Sequence, residues 1–307
     1  MPSFRSPKDQ AQWAAAQLAG HGQPRSQTRY TAAVSSVGTQ RGYAQALRGF
    51  QAWLAPANAD LRTATAEQAR QYLAERAQSV AQGTLDSDRK AVTAWYQHRD
   101  GQRPDLARAE HQSQVEGRGL AQESRVYTAE QVREIQAHQT DRHAIATEVA
   151  AEAGLRSHEL ASIARLEDRP EASERDWRGD RFVADHRSER YTVVGKGGLT
   201  REVRLTPVTA ARLEGYRRPE PVRVSDRGAH YTSRYDIGYG QRWAQSYSAA
   251  SRQALGWSRG AHSLRHTYAQ QRMEQLQSRQ YSYDQAREVV AQEVGHFRSS
   301  TTEAYLR

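Results

Sequence analysis

One stretch of this sequence reads convincingly as extended chain. In RFVADHRSERYTVVGKGGLTREVRLTP (residues 181–207), YTVV and REVRL alternate around GKGG, a glycine-rich turn of hairpin type. The other periodic stretches repeat their apolar residues at helical spacing. In TQRGYAQALRGFQAWL, Tyr43, Leu47, Phe50 and Leu54 fall on one face. Thr65 is placed to cap TAEQARQYLAERAQ, and GTLDSDRKAVTAWYQHR carries Leu85, Val92 and Trp95. Thr128 caps a further start, followed by HAIATEVAAEAGLRSHELASIARL, which reads as one apolar helix. The expected fold class is therefore mainly α with a small β-sheet.

Composition narrows the function. No run approaches the ~18 apolar residues that span a membrane. The start, MPSFRSPKDQAQW, has no apolar secretory core, so a cytoplasmic location is expected and no membrane partner. With no cysteine there are no disulfides, thiolate metal sites or cysteine nucleophile. The net charge of +9 is shared by both halves of the 307 residues, which suits a polyanion touched by both. Lysine occurs only at positions 8, 90 and 196, the remaining basic residues being arginine, so Lys196 stands alone in the C-terminal half.

A chain of this length divides naturally in two. Residues 1–38, an alanine-rich helical stretch (AQWAAAQLAG) amid polar, turn-rich sequence, read as a partly ordered arm, 39–112 as a helical domain, 113–124 (within EHQSQVEGRGLAQES) as a linker and 125–307 as a second domain. On the first domain's helices, Arg41, Arg48, Arg89 and Lys90 are candidate contacts for such a polyanion.

Four segments of the second domain carry chemistry. AGLRSHEL sets Arg156 and Glu159 three apart, as neighbours on a helix face. VVGKGGL puts Lys196 at a hairpin tip, HSLRH puts His262 and Arg265 one turn apart, and GHFRSSTTEAYL carries His296 and, nine residues on, Tyr305. Alone, each has an ordinary reading: a surface ion pair, a solvated lysine, a packing tyrosine. His262 and His266 have the spacing of a zinc helix, but Ser263 stands where a metalloprotease needs glutamate, so no metal is expected.

In this order they resemble the catalytic set of the tyrosine recombinases, the phage-integrase family. AGLRSHEL looks like the family's T-G-L-R-x-x-E-L, AHSLRHTYA like its H-x-L-R-H-T-x-A, and EVGHFRSSTTEAYL like its L-G-H-x-x-x-x-T-T-x-x-Y. The likeness covers 125–307 by motif and the first half by architecture alone. It implies a helical core-binding domain ahead of an α+β catalytic domain. It also implies site-specific cleavage and rejoining of DNA through a 3′-phosphotyrosine, for integration or excision of a mobile element. No cofactor is implied. The implied partners are double-stranded DNA, further copies of the chain on that DNA (dimer to tetramer) and an accessory DNA-bending protein.

The residues suit that chemistry. Arg156 and Arg265 can grip phosphate oxygens bidentately without losing charge near neutral pH. His262 and His296 can add hydrogen bonds, and His262 can move a proton. Glu159 would buttress the arginines and Tyr305 would be the nucleophile. The resemblance makes Lys196 the acid for the leaving oxygen. The step from Arg265 to His296 is longer than is usual in the family, with QQRMEQLQSRQYSYDQA carrying the excess. A type IB topoisomerase, or a DNA-binding relative that does not cut, are the alternatives.

Overall fold

A computed structural model of the protein describes residues 6–20, 31–115, 125–183 and 188–306, with Lys196 described only in its backbone. The fold is mainly α with, among the described residues, two small antiparallel sheets, and it divides into two compact units, residues 1–120 and 121–307. Among the described residues no helix is long and apolar enough to cross a membrane.

Among the described residues, the first unit packs the α-helices α1 (Pro7–Gln17), α2 (Val37–Leu54), α3 (Ala66–Ala77) and α4 (Gln82–Asp100). Its core is the set the helical period singles out, with Leu47, Phe50 and Leu54 from α2, Leu73 from α3, and Leu85, Val92 and Trp95 from α4. Each such side chain contributes about 1.5–3 kcal/mol of burial. Thr65 and Gln68 close a reciprocal capping box on α3. Trp95 Nε1 donates to the Leu61 carbonyl at 2.7 Å and pins the turn that precedes α3.

Within the expected arm, the alanine-rich stretch is helical as read: residues 7–17 form a helix whose Ala11 and Ala14 lie in this core, with Trp13 edge-on to Trp95 at 5.5 Å. Alanine makes a tight helix-packing face with little amphipathic signal, so this burial is not legible in the sequence. The start of the expected linker is also held: Ser113 donates to the Val80 carbonyl at 2.6 Å and Gln114 N to Ala77 O at 2.9 Å. Residues 116–124 lie outside the described residues.

The second unit builds a main core and a smaller one under its last helices; it begins with α5 (Ala129–Ala137), α6 (Asp141–Ala153), β1 (Ala164–Arg165), β2 (Glu189–Val194), β3 (Thr200–Leu205) and α7 (Pro207–Glu214). It continues with β4 (Arg217–Asp226), β5 (Ala229–Tyr235), α8 (Gly240–Leu255), α9 (Ser263–Gln277), α10 (Tyr283–Glu293) and a terminal 3-10 turn, Ser299–Tyr305. Strands run in the order β1-β2-β3, and β4 pairs with β5. Tyr191, Val193, Val203 and Leu205 face a core that includes Ile145, Val149, Trp243 and Leu264.

Two sequence expectations are corrected here. The stretch 143–166 is not one helix: α6 stops at Ala153, and Gly154 takes a left-handed φ of 60°. A Cβ at Gly154 would stand 2.6 Å from the Tyr268 ring, so the chain can turn there only as glycine. Arg156 and Glu159 therefore meet across a turn, not along a helix face. The β4–β5 hairpin was also unforeseen, because RRPEPVRVSD is proline-bearing, charged and largely solvent-facing. The extra residues after Arg265 fall in the last turns of α9, a short connection at 278–282 and the start of α10.

Candidate active site

Glu159 is the hub. It begins a 3-10 turn at the N-terminal edge of the sheet and is completely buried. Its Oε1 accepts from Arg156 Nη1 at 2.9 Å, and its Oε2 accepts from the Arg156 backbone N–H and from Arg201 Nη2, both at 2.8 Å. Arg265 Nη1 lies 3.7 Å from the same oxygen. Burial alone would raise this carboxyl, but Arg201, Arg265 and Arg156 together hold it down to about 2.

Arg265 projects from the first turn of α9 and is fully buried. Its Nη1 donates to the Gly154 carbonyl at 2.6 Å and its Nη2 to that of Val294, so one guanidinium ties the chain ahead of Arg156 to the chain ahead of His296. Burial lowers it to about 10, which leaves it charged at neutral pH.

His296 follows Gly295, whose φ of 77° turns the chain out of α10. Arg156 Nη2 lies 2.9 Å from His296 Nε2. A guanidinium has no acceptor, so Nε2 must accept and the ring proton sits on Nδ1, 3.4 Å from Thr302 Oγ1. The neutral ring agrees with its pKa, pushed down to about 3 by burial and then by Arg265, Arg156 and Arg201.

Tyr305 closes the cluster. The final 3-10 turn packs against α9 and α10 through Ala269, Met273, Val289 and Val290, leaving Tyr305 only 8% exposed. Its ring centroid lies 5.7 Å from that of His296, 5.6 Å from His262 and 4.9 Å from His266. The Arg265 guanidinium carbon is 5.4 Å from the same centroid. Gln270 Nε2 donates to the Tyr305 carbonyl at 3.2 Å.

His262 caps α9 and keeps an exposed edge; burial of the rest of the ring, then Arg265, His266 and Arg156, lowers its pKa. His266, one turn on, is buried and held down to about 4 by burial and Arg125. Among the described residues no three His, Asp or Glu side chains converge as metal ligands.

Five of the sequence candidates thus stand around Glu159 or Tyr305: Arg156, His262, Arg265, His296 and Tyr305 itself. The backbone of Lys196 forms the hairpin-tip turn Lys196–Gly198, and its side chain lies outside the described part. A Cβ at neighbouring Gly195 would sit 3.4 Å from Glu159 Oε1, so the base of that turn abuts the hub.

The first unit's candidates diverge. Arg41 and Arg48 are exposed on α2 and, with Lys8 and Gln12 of α1, line an open groove of about 560 Å³. Lys90 is exposed. Arg89 is half-buried and turned inward, Nη1 donating to the Leu106 carbonyl at 3.4 Å with Asp86 3.8 Å away. Sequence reasoning missed two site residues. In sequence His266 reads only as a zinc-spaced partner of His262. Arg201 occupies the inward position of β3 shared with Val203 and Leu205, and an arginine in an apolar strand phase is the signal that could have found it.

No known protein family and no curated protein matches this sequence. Among solved structures, it is similar to the XerH site-specific recombinase bound to palindromic difH substrate in a post-cleavage complex, with 14% identity over 98% of this chain and 90% of that one and a TM-score of 0.58. The pre-cleavage complex of XerH with difH matches at 15% identity over 99% of this chain and 95% of that one, TM-score 0.57. At such identity the likeness is one of fold.

Proposed function

We propose that this protein is a tyrosine-type site-specific DNA recombinase that cleaves and rejoins strands through Tyr305. The observation that carries the reading is the convergence of His262, Arg265 and His296 on one tyrosine ring, with Arg156 joined to it through His296. The shared fold with XerH, a recombinase seen on DNA, supports it.

In this reading the Tyr305 oxygen attacks the scissile phosphorus, the P–O5′ bond breaks, and a 3′-phosphotyrosine forms. The phosphoester energy is kept in that bond, so the reverse attack by a 5′-hydroxyl reseals the strand without ATP. His262, whose lowered pKa leaves it neutral, accepts the phenolic proton. A hairpin lysine, Lys196, protonates the departing 5′-oxygen. Arg156 exchanges His296 for a phosphate oxygen, and the arriving anion favours a proton on His296 Nε2, converting it into a donor to the same phosphate. Arg265 lies beneath the Tyr305 ring, so phosphate entry and movement of the tyrosine are coupled. Integration or excision of a mobile element, the pairing of copies on DNA and an accessory bending protein belong to the same proposal, as does DNA contact by Arg41, Arg48 and Lys90.

The test uses a randomised duplex library with 5′-bridging phosphorothiolates, which trap the adduct because the thiolate cannot re-attack. Wild-type protein should stay attached to DNA after denaturation in SDS, and Tyr305→Phe should not. Adducts formed equally by both would reject Tyr305 as nucleophile. A plasmid-relaxation assay set beside a two-site assay separates recombination from simple nicking and resealing.

A further inference from the structure

Beside the two arginines assigned to phosphate, the hub holds a third. Arg201 is 1% exposed, sits opposite Val193 on β3, and donates from Nη2 to Glu159 Oε2 at 2.8 Å. Its Nε and Nη1 are buried without a hydrogen-bond partner among the described residues. A valine or leucine would fill that strand phase without burying a cation and two unmet donors. The apolar core therefore gains nothing from an arginine here, and its role lies in the charge it carries.

Arg156, Arg201 and Arg265 all lie within ion-pairing distance of Glu159. The neighbouring carboxylates have arginines of their own: Glu293 is taken by Arg272 at 2.7 Å, Glu202 by Arg190 at 2.8 Å and Glu171 by Arg181 at 2.6 Å. Three guanidiniums against one carboxylate leave two positive charges in excess. Without Arg201, Arg156 and Arg265 would share Glu159 and the excess would be one. A phosphodiester brings one negative charge, and its five-coordinate transition state spreads close to two over the non-bridging oxygens.

Resting on the strand-cleavage reading, we infer that Arg201 is a positioning residue that neutralises Glu159, so that Arg156 and Arg265 present their full charge to the scissile phosphate. Glu159 thereby acts as a strut with no net pull on the arginines it aligns. Arg201 also sets the far side of the site: a Cβ at Gly295 would fall 3.0 Å from its Cδ and Nε, so the turn that delivers His296 rests directly on it.

The measurement is inorganic phosphate binding, followed by the ring resonances of His262 and His296 in the wild type, R201M, R201K and the double variant E159Q/R201M. R201M should bind phosphate about tenfold more weakly. The double variant, which removes one charge of each sign, should return to within about twofold of the wild type, with R201K between. If Arg201 only filled space, the charge of the hub would not matter and the double variant would bind phosphate no better than R201M. R201M binding as well as the wild type, a double variant no better than R201M, or a wild type that binds no phosphate would each overturn the inference. If R201M is too unstable to assay, the double variant decides: affinity near wild type supports the inference and a tenfold loss refutes it. Adduct formation on the phosphorothiolate library separates the two readings. Arg201-dependent phosphate binding without any adduct counts against strand cleavage alone, and wild-type adduct rates in R201M count against the inference alone.

Discussion

His266 and Glu159 give the second unit a common acid sensitivity. His266 is buried in neutral form, its folded pKa of about 4 lying below the ordinary 6.5. Below pH 6.5 the unfolded chain binds a proton that the folded ring refuses, so stability falls as pH drops and goes on falling until about pH 4. Glu159, held at about 2, contributes fully above the ordinary carboxylate pKa of 4.5 and loses that contribution as pH falls toward 2. Both slopes have the same sign. Taking pH from 7 to about 4.5 should therefore cost about 2–3 kcal/mol from His266 alone, read as a fall in Tm of several degrees. His266→Gln should flatten that part of the curve. A Tm unchanged across the window would contradict the burial of a neutral imidazole here.

Among the elements, legibility followed the strength of the local pattern. Helices α2 to α4 were readable because Leu47, Phe50, Leu54, Leu85, Val92 and Trp95 repeat at the helical period, and β2 and β3 because they alternate around GKGG. The end of α6 was not, since Ala-Glu-Ala-Gly-Leu-Arg scans as helix until Tyr268, from a strand of sequence more than a hundred residues on, fills the space beside Gly154. The same non-local logic hid Arg201: its partner Glu159 is 42 residues away, and no spacing rule joins them. The motifs that hold Arg156, His262, Arg265, His296 and Tyr305 were readable because each is short and self-contained. Gly154→Ala tests the turn. A left-handed φ costs an alanine about 1 kcal/mol, and the ring contact adds to it, so a loss of roughly 2–4 kcal/mol in the second unit's unfolding is expected by denaturant titration. A loss under about 0.5 kcal/mol would mean that Tyr268 yields freely.

For the molecule as a whole, charge is the property that travels furthest. The excess of nine positive charges is drawn from both units, and on the proposed reading it meets a phosphate backbone. Each neutralised phosphate releases counterions, so affinity for duplex DNA should fall about 10²–10⁴-fold between roughly 50 and 200 mM salt, linearly on logarithmic axes. Filter binding or fluorescence anisotropy over that range measures the slope, and a nearly flat line would remove the polyanion as partner. Timing is the other whole-molecule matter. Arg265 joins the carbonyls of Gly154 and Val294, and Tyr305 lies across it. One guanidinium is thus a keystone: two stretches of chain far apart in sequence lean on it from either side, and the two walls of the pocket must form together.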